Sequence, residues 1–244
     1  VLINVTHDKD FQRYLDRVEQ RLHVEMVPLL SVGIRTQVID GGVPAHTLIT
    51  RRGGKILVKH YKKIFREVYG RVPPIQKADD NVGINGFMSR MLSYLETEAA
   101  TRIQYISQSL ADQVRTLLLD AVERGLSSNE IAAEIYDMSP DISRNRSATI
   151  ARTETHGAAL WAMDETIDEK EIPIQYKTWW TAGDARVRPS HAAMHGVELP
   201  RDEPFDLDGG QLMYPGDDSM GADEGEIINC RCSVLYNTGE SSLI

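Results

Sequence analysis

From residue 86 to residue 125 the chain has no proline, and Met88, Met91, Leu92, Leu95, Ala99, Ile103, Ile106, Leu110, Val114, Leu117 and Val122 recur mostly three or four positions apart. That spacing gathers the apolar side chains onto one stripe of an α-helix, whereas a strand would need a period of two. The segment therefore predicts one very long helix, or two helices with a break near 101 to 109. Such a stripe has to be buried against other elements, so a helical middle is the first demand on any fold of this chain.

Helical signals continue on both sides. Leu15, Val18, Leu22 and Met26 predict an amphipathic helix from about Asp8, with Pro28 as its stop. Gly33, Gly41, Gly42, Pro44, Gly53 and Gly54 then predict short strands or extended loops. A further helix is expected over 56 to 69, closed by Gly70, with residues 70 to 84 and their Pro73-Pro74 pair as a linker. After Gly125, Ser127 and Glu130 form a capping box that starts a short helix to about Met138. Ser139-Pro140-Asp141 is expected to start another, running through Trp161 to about Asp168.

The texture changes after Pro173. Ile174, Tyr176, Thr178 and Trp180 alternate with Gln175, Lys177, Trp179 and Thr181, which suits a strand, and Ile228, Cys230, Cys232, Val234 and Tyr236 would share one face of a second. Between them lies a segment rich in Gly, Pro and Asp, with a short helix expected from Pro189 to His195 and Gly196 as its stop. The fold class is α+β. The segments are 1 to 84 (a helix, a basic stretch and a linker), 85 to 168 (helical) and 169 to 244 (a small loop-rich α+β module).

The formal charge of −9 argues against a surface that coats nucleic acid throughout, but the charges are unevenly placed. Arg51, Arg52, Lys55, Lys59, Lys62, Lys63, Arg66 and Arg71 face only Glu67 in their stretch, whereas 198 to 226 is crowded with carboxylates. Arg51, Arg52, Lys55, Lys59, Lys62, Lys63 and Arg66 are thus candidates to bind DNA or an acidic protein surface. With only two cysteines no disulfide framework is expected, and a reducing cytoplasm is the natural setting. No apolar run is long enough to span a bilayer and the first ten residues lack the features of an export signal, so no membrane partner is expected.

Two pairs of residues carry metal-binding chemistry. His191 and His195 are four apart in an expected helix, and Cys230 and Cys232 are two apart in an expected strand. Two imidazoles and two thiolates would complete a tetrahedral structural zinc site. The bland reading is a buried strand face, since cysteine is among the most buried residue types, and a disulfide is a third option. Cofactors are therefore none, or one structural zinc. Ala192 follows His191, so the glutamate base of helical zinc proteases is absent, and no phosphate loop or nucleophile elbow occurs. Asp184, Asp217 and Asp218 read as turn formers before they read as cation ligands. Arg152, Glu154, Asp184 and Arg186 are expected in structural ion pairs, and Trp179 and Trp180 in core or interface packing.

Ile150-Ala151-Arg152-Thr153-Glu154-Thr155, Trp179-Trp180-Thr181, Asp184-Ala185-Arg186-Val187-Arg188, Ser190-His191, Gly196, Tyr214-Pro215-Gly216-Asp217 and Asn229-Cys230-Arg231-Cys232 occur in this order. Together they resemble the signature of the phage Mu F-like head morphogenesis family, over roughly 125 to 236. The resemblance implies a minor, low-copy head protein and not an enzyme, placed inside the capsid near the portal and working in assembly or in packaging and delivery of the genome. It implies portal and other head proteins as partners, packaged DNA as a further one, and residence in the virion after assembly in the host cytoplasm. Members fused to toxin domains use the module for packaging or delivery. The rival readings are a metal-dependent enzyme acting on nucleic acid or a host protein, and a DNA-binding accessory protein.

Overall fold

A computed structural model describes residues 2–3, 8–39, 45–72 and 128–239, and between 86 and 126 only 86, 87, 89, 90, 116, 117, 119–121, 123, 124 and 126. The expected linker after Val72, the run of the helical pattern from 91 to 115 and the cap residue Ser127 lie outside the described residues. The elements in order are β1 (Leu2–Ile3), α1 (Lys9–Ile39), α2 (Ala45–Arg71), α3 (Ser128–Glu169), β2 (Tyr176–Trp180), α4 (Pro189–Met194), β3 (Glu198–Pro200), β4 (Phe205–Leu207), β5 (Gly210–Leu212), α5 (Glu224–Ile227) and β6 (Ser233–Asn237). The fold is α+β, helical at first with small antiparallel sheets behind.

The chain divides into two compact units, one of residues 1–18, 61–89 and 152–244, the other of 19–60 and 90–151. The three consecutive segments expected from the sequence do not coincide with them, because residues far apart in the chain pack together within each unit. In the first unit Phe65 lies 4.8 Å from Trp161 and 6.3 Å from Phe87, ring centre to ring centre, and the Lys170 ammonium reaches the carbonyls of Tyr69 and Val72 at the end of α2. A cation there satisfies carbonyls that the last turn leaves unpaired. In the second unit Leu22, Met26, Leu30 and Leu57 are fully buried, and Glu25 holds Lys59 at 2.7 Å.

Three helix boundaries differ from expectation. Pro28 lies inside α1 and Pro140 inside α3, and α2 begins at Ala45, taking in the glycines at 53 and 54. An interior proline costs about 3 kcal/mol and a glycine about 1. Leu29 and Leu30 after Pro28, Ile142 and Ile150 after Pro140, and Leu57 after the glycines are all buried, so the continuing apolar stripe outweighs the local penalty.

The main sheet has the order β1-β6-β2-β3, every pair antiparallel, and β4 and β5 form a separate hairpin. In β2 the buried face carries Lys177 and Trp179, while Tyr176 and Trp180 are exposed. Lys177 donates to the Met213 carbonyl at 2.8 Å and lies 5.3 Å from the Phe205 ring centre. Burial, then the like charge of Arg201, push its ammonium down to about 8 against the pull of Asp164 and Asp217. Below pH 8 both folded and unfolded chains hold this proton, and the folded state bears the full cost. Between about 8 and the ordinary 10.5 the unfolded chain binds more protons, so stability should rise with pH, by roughly 1–3 kcal/mol. Lys177→Met should remove that rise and stabilise the protein at pH 7, as thermal melts of both forms at pH 7 to 10 would record.

Candidate metal centre

Pro189 pre-sets the first turn of α4, and His191 within that turn is buried. The helix ends by His195, whose ψ of 119° leaves helical geometry, and Gly196 follows at a positive φ of 79° that suits glycine. His195 therefore leaves the face that His191 occupies. Its Nδ1 accepts the Thr181 backbone N–H at 3.1 Å, and its ring lies tilted against Trp180, 4.5 Å centre to centre. The expectation that both histidines project together fails because the helix is too short to fix the second.

Cys230 and Cys232 are both buried, but neither lies in a strand. Asn229 has a φ of 59°, a left-handed conformation that asparagine tolerates, and this turn carries the chain from α5 to β6. The helix α3 pins the turn: Thr153 Oγ1 accepts the Asn229 N–H at 3.0 Å, Arg152 reaches Asn229 Oδ1 at 3.3 Å, and His156 Nε2 meets the Cys232 carbonyl at 2.5 Å. Burial holds the His156 imidazole below its ordinary value, so it donates as the neutral ring.

The turn brings both sulfurs to one imidazole. His191 Nδ1 lies 3.3 Å from Cys232 Sγ and 3.7 Å from Cys230 Sγ, and the three donor atoms lie within 4.8 Å of one another. On the other side of the ring, His191 Nε2 is 2.8 Å from Glu226 Oε2, which also accepts from Ser190 Oγ at 3.0 Å. A carboxylate at Nε2 assigns the ring proton there and leaves the Nδ1 lone pair facing the sulfurs. Trp179 closes the site, its ring edge-on to His191 at 5.2 Å. The Cys230 hydrogen bond holds Cys232 down to about 5, against burial, while Cys230 is pushed up.

The other expected site residues lie elsewhere. Asp184 pairs with Arg186 at 3.3 Å and takes both guanidinium nitrogens of Arg231 at 2.6 Å, which hold its carboxyl well below the usual range. Glu154 is buried and accepts the Tyr61 phenol. Asp217 accepts the N–H groups of Met213 and Ser219, each at 2.9 Å, as a turn former does. Arg51, Arg52, Lys55, Lys59, Lys63 and Arg66 are exposed on α2 and Lys62 is half-buried, opposite the buried Leu57, Ile64, Phe65 and Val68. Sequence reasoning missed Glu226, hidden in a run of other acidic residues, and Arg231 as the main partner of Asp184.

Soft sulfur donors beside an oriented imidazole suit a thiophilic cation, whereas Glu226 is occupied at the far nitrogen of His191 and orients the ring. The geometry defines a structural module, in which helix, turn and sheet are locked by buried polar and sulfur groups. The chain belongs to the family described as phage Mu protein F like protein, which matches residues 112–235, half of the chain. This is a family of phage head proteins. The chain is also similar to the NAD(+)–arginine ADP-ribosyltransferase EFV of Enterococcus faecalis (strain ATCC 700802 / V583), 29% identical over 136 residues. Those residues are 55% of this chain and 27% of that protein, so the chain spans about a quarter of the relative's length. No solved structure matches.

Proposed function

We propose that the protein is a minor, low-copy component of a tailed-phage head, bound on the inner side of the capsid near the portal and acting in head morphogenesis or in packaging and delivery of the genome. The family match over 112–235 is the observation that carries this reading. The buried donor cluster supports a structural role over an enzymatic one. The carboxylate that touches it, Glu226, is held by His191 and Ser190. Similarity to about a quarter of an ADP-ribosyltransferase is compatible with a module shared with a longer chain. Among the described residues no helix is long and apolar enough to cross a membrane, and the proposed partners are portal and head proteins. Quantitative gels of purified heads should give a copy number equal to that of the portal ring or lower, and hundreds of copies would make the protein a shell or scaffold component instead.

The exposed cations of α2 favour an anionic partner, either packaged DNA or an acidic face of the portal. Replacing Lys59, Lys62 and Lys63 with Gln should weaken that association in a salt-dependent way. If the partner is DNA, affinity should fall steeply between about 50 and 200 mM salt, with the slope reduced by about one for each phosphate no longer neutralised. Unchanged DNA affinity together with abolished portal binding would assign the helix to the portal.

A further inference from the structure

We propose that His191, Cys230 and Cys232 form a zinc centre with three protein ligands, that Glu226 is its outer carboxylate, and that the fourth position is filled by solvent. This goes beyond the head-protein reading and does not depend on it. The distances carry the argument. A tetrahedral zinc with bonds of about 2.3 Å to sulfur and about 2.0–2.1 Å to nitrogen requires its sulfur and nitrogen ligands to lie about 3.5–3.6 Å apart. The two Nδ1 to Sγ distances, 3.3 and 3.7 Å, bracket that value.

The surroundings fit a metal ligand as well as the distances do. Metal-bound histidines nearly always give their other N–H to a carboxylate, carbonyl or water, which fixes the tautomer and makes the ring a better donor. His191 Nε2 has that partner in Glu226 at 2.8 Å, and the buried Glu226 also accepts from Ser190. Among the described residues no fourth His, Cys, Asp or Glu completes the group. The three donors instead line a small cavity shared with Arg188, Asn229 and Arg231, which gives a water access to the open position. Among the described residues that lining holds no carboxylate, and Asp184 beyond it is taken up by Arg231 and Arg186, so the site staples α4 to the turn before β6.

The full chain, purified under reducing conditions without chelator, should carry about one zinc, and loading with cobalt(II) should give thiolate-to-cobalt charge-transfer bands and the visible bands of a tetrahedral ion. His191→Ala, Cys230→Ser and Cys232→Ser should abolish the cobalt spectrum, while His195→Ala should keep it. Glu226→Gln should keep the spectrum and weaken zinc affinity roughly 10- to 100-fold in competition with a coloured chelator. Should the ligand variants fail to fold, alkylation of the unaltered protein still decides. Both cysteines should resist the reagent with zinc bound and react once chelator is added. Less than about a tenth of a zinc per chain with no cobalt spectrum on loading would overturn the site, and loss of the spectrum in His195→Ala would overturn the ligand set.

Discussion

Trp179→Ala should lower the stability of the C-terminal module by about 3–5 kcal/mol, enough to unfold a marginal domain near body temperature. The indole is fully buried, meets Phe205 edge-on at 5.2 Å, and packs in one cluster with Leu207, Leu212, Cys230 and Cys232. Removing it opens a cavity that the hairpin of β4 and β5 and the cysteine turn cannot both collapse into. Its neighbour supplies the control. Trp180 is 37% exposed on the opposite face of β2, so Trp180→Ala should cost less than about 1 kcal/mol. Denaturant melts of the two variants should differ severalfold, and equal losses would mean that the facing of β2 is wrong.

Asp164→Ala should be the next most damaging substitution, by about 2–4 kcal/mol. Asp164 on α3 accepts the Tyr236 phenol of β6 at 2.6 Å and the Arg201 guanidinium at 2.7 Å, while Arg201 also covers the Tyr236 ring at 5.1 Å. Burial pushes the Asp164 carboxyl up, and Arg201 and Tyr236 draw it back towards the charged form. Truncation would leave a buried hydroxyl without this acceptor and a largely buried guanidinium with only Asp168 of its two carboxylate partners. The cost is the desolvation of those groups, which one-sided removal no longer offsets. Tyr236→Phe, which keeps the ring and deletes only the hydroxyl, should cost about 1 kcal/mol. A double variant no worse than Asp164→Ala alone would show that the two act as one unit.

Residues with strong local signals were legible in the sequence. The Gly-Leu-Ser start placed the beginning of α3 at Ser128, its end came within a residue of expectation, and Pro189 and Gly196 bracketed α4. Tertiary packing overrode local rules elsewhere. Pro28 fails as a stop and Pro140 as the start of a new helix because the stripes beyond them are buried, and β1, two residues paired to β6, has no local signature. Alternation at 174 to 181 revealed a strand without telling its buried face, since burial of Lys177 depends on the Met213 carbonyl and the Phe205 ring. At the candidate site the sequence offered His191, Cys230 and Cys232. It could not foresee that the Asn229 turn, rather than a strand, presents the sulfurs, or that His195 would be drawn away to Thr181. Glu226 was illegible because only the fold distinguishes it from the carboxylates around it.

The central claim, that this is a head protein, is tested most directly by its fate in particles produced from the genome that encodes it. Gradient-purified heads, treated with protease before and after the shell is opened, would be analysed by quantitative mass spectrometry. The protein should co-purify with heads at or below the copy number of the portal, survive protease while the shell is closed, and be digested once it is opened. Absence from both proheads and mature heads would contradict the account.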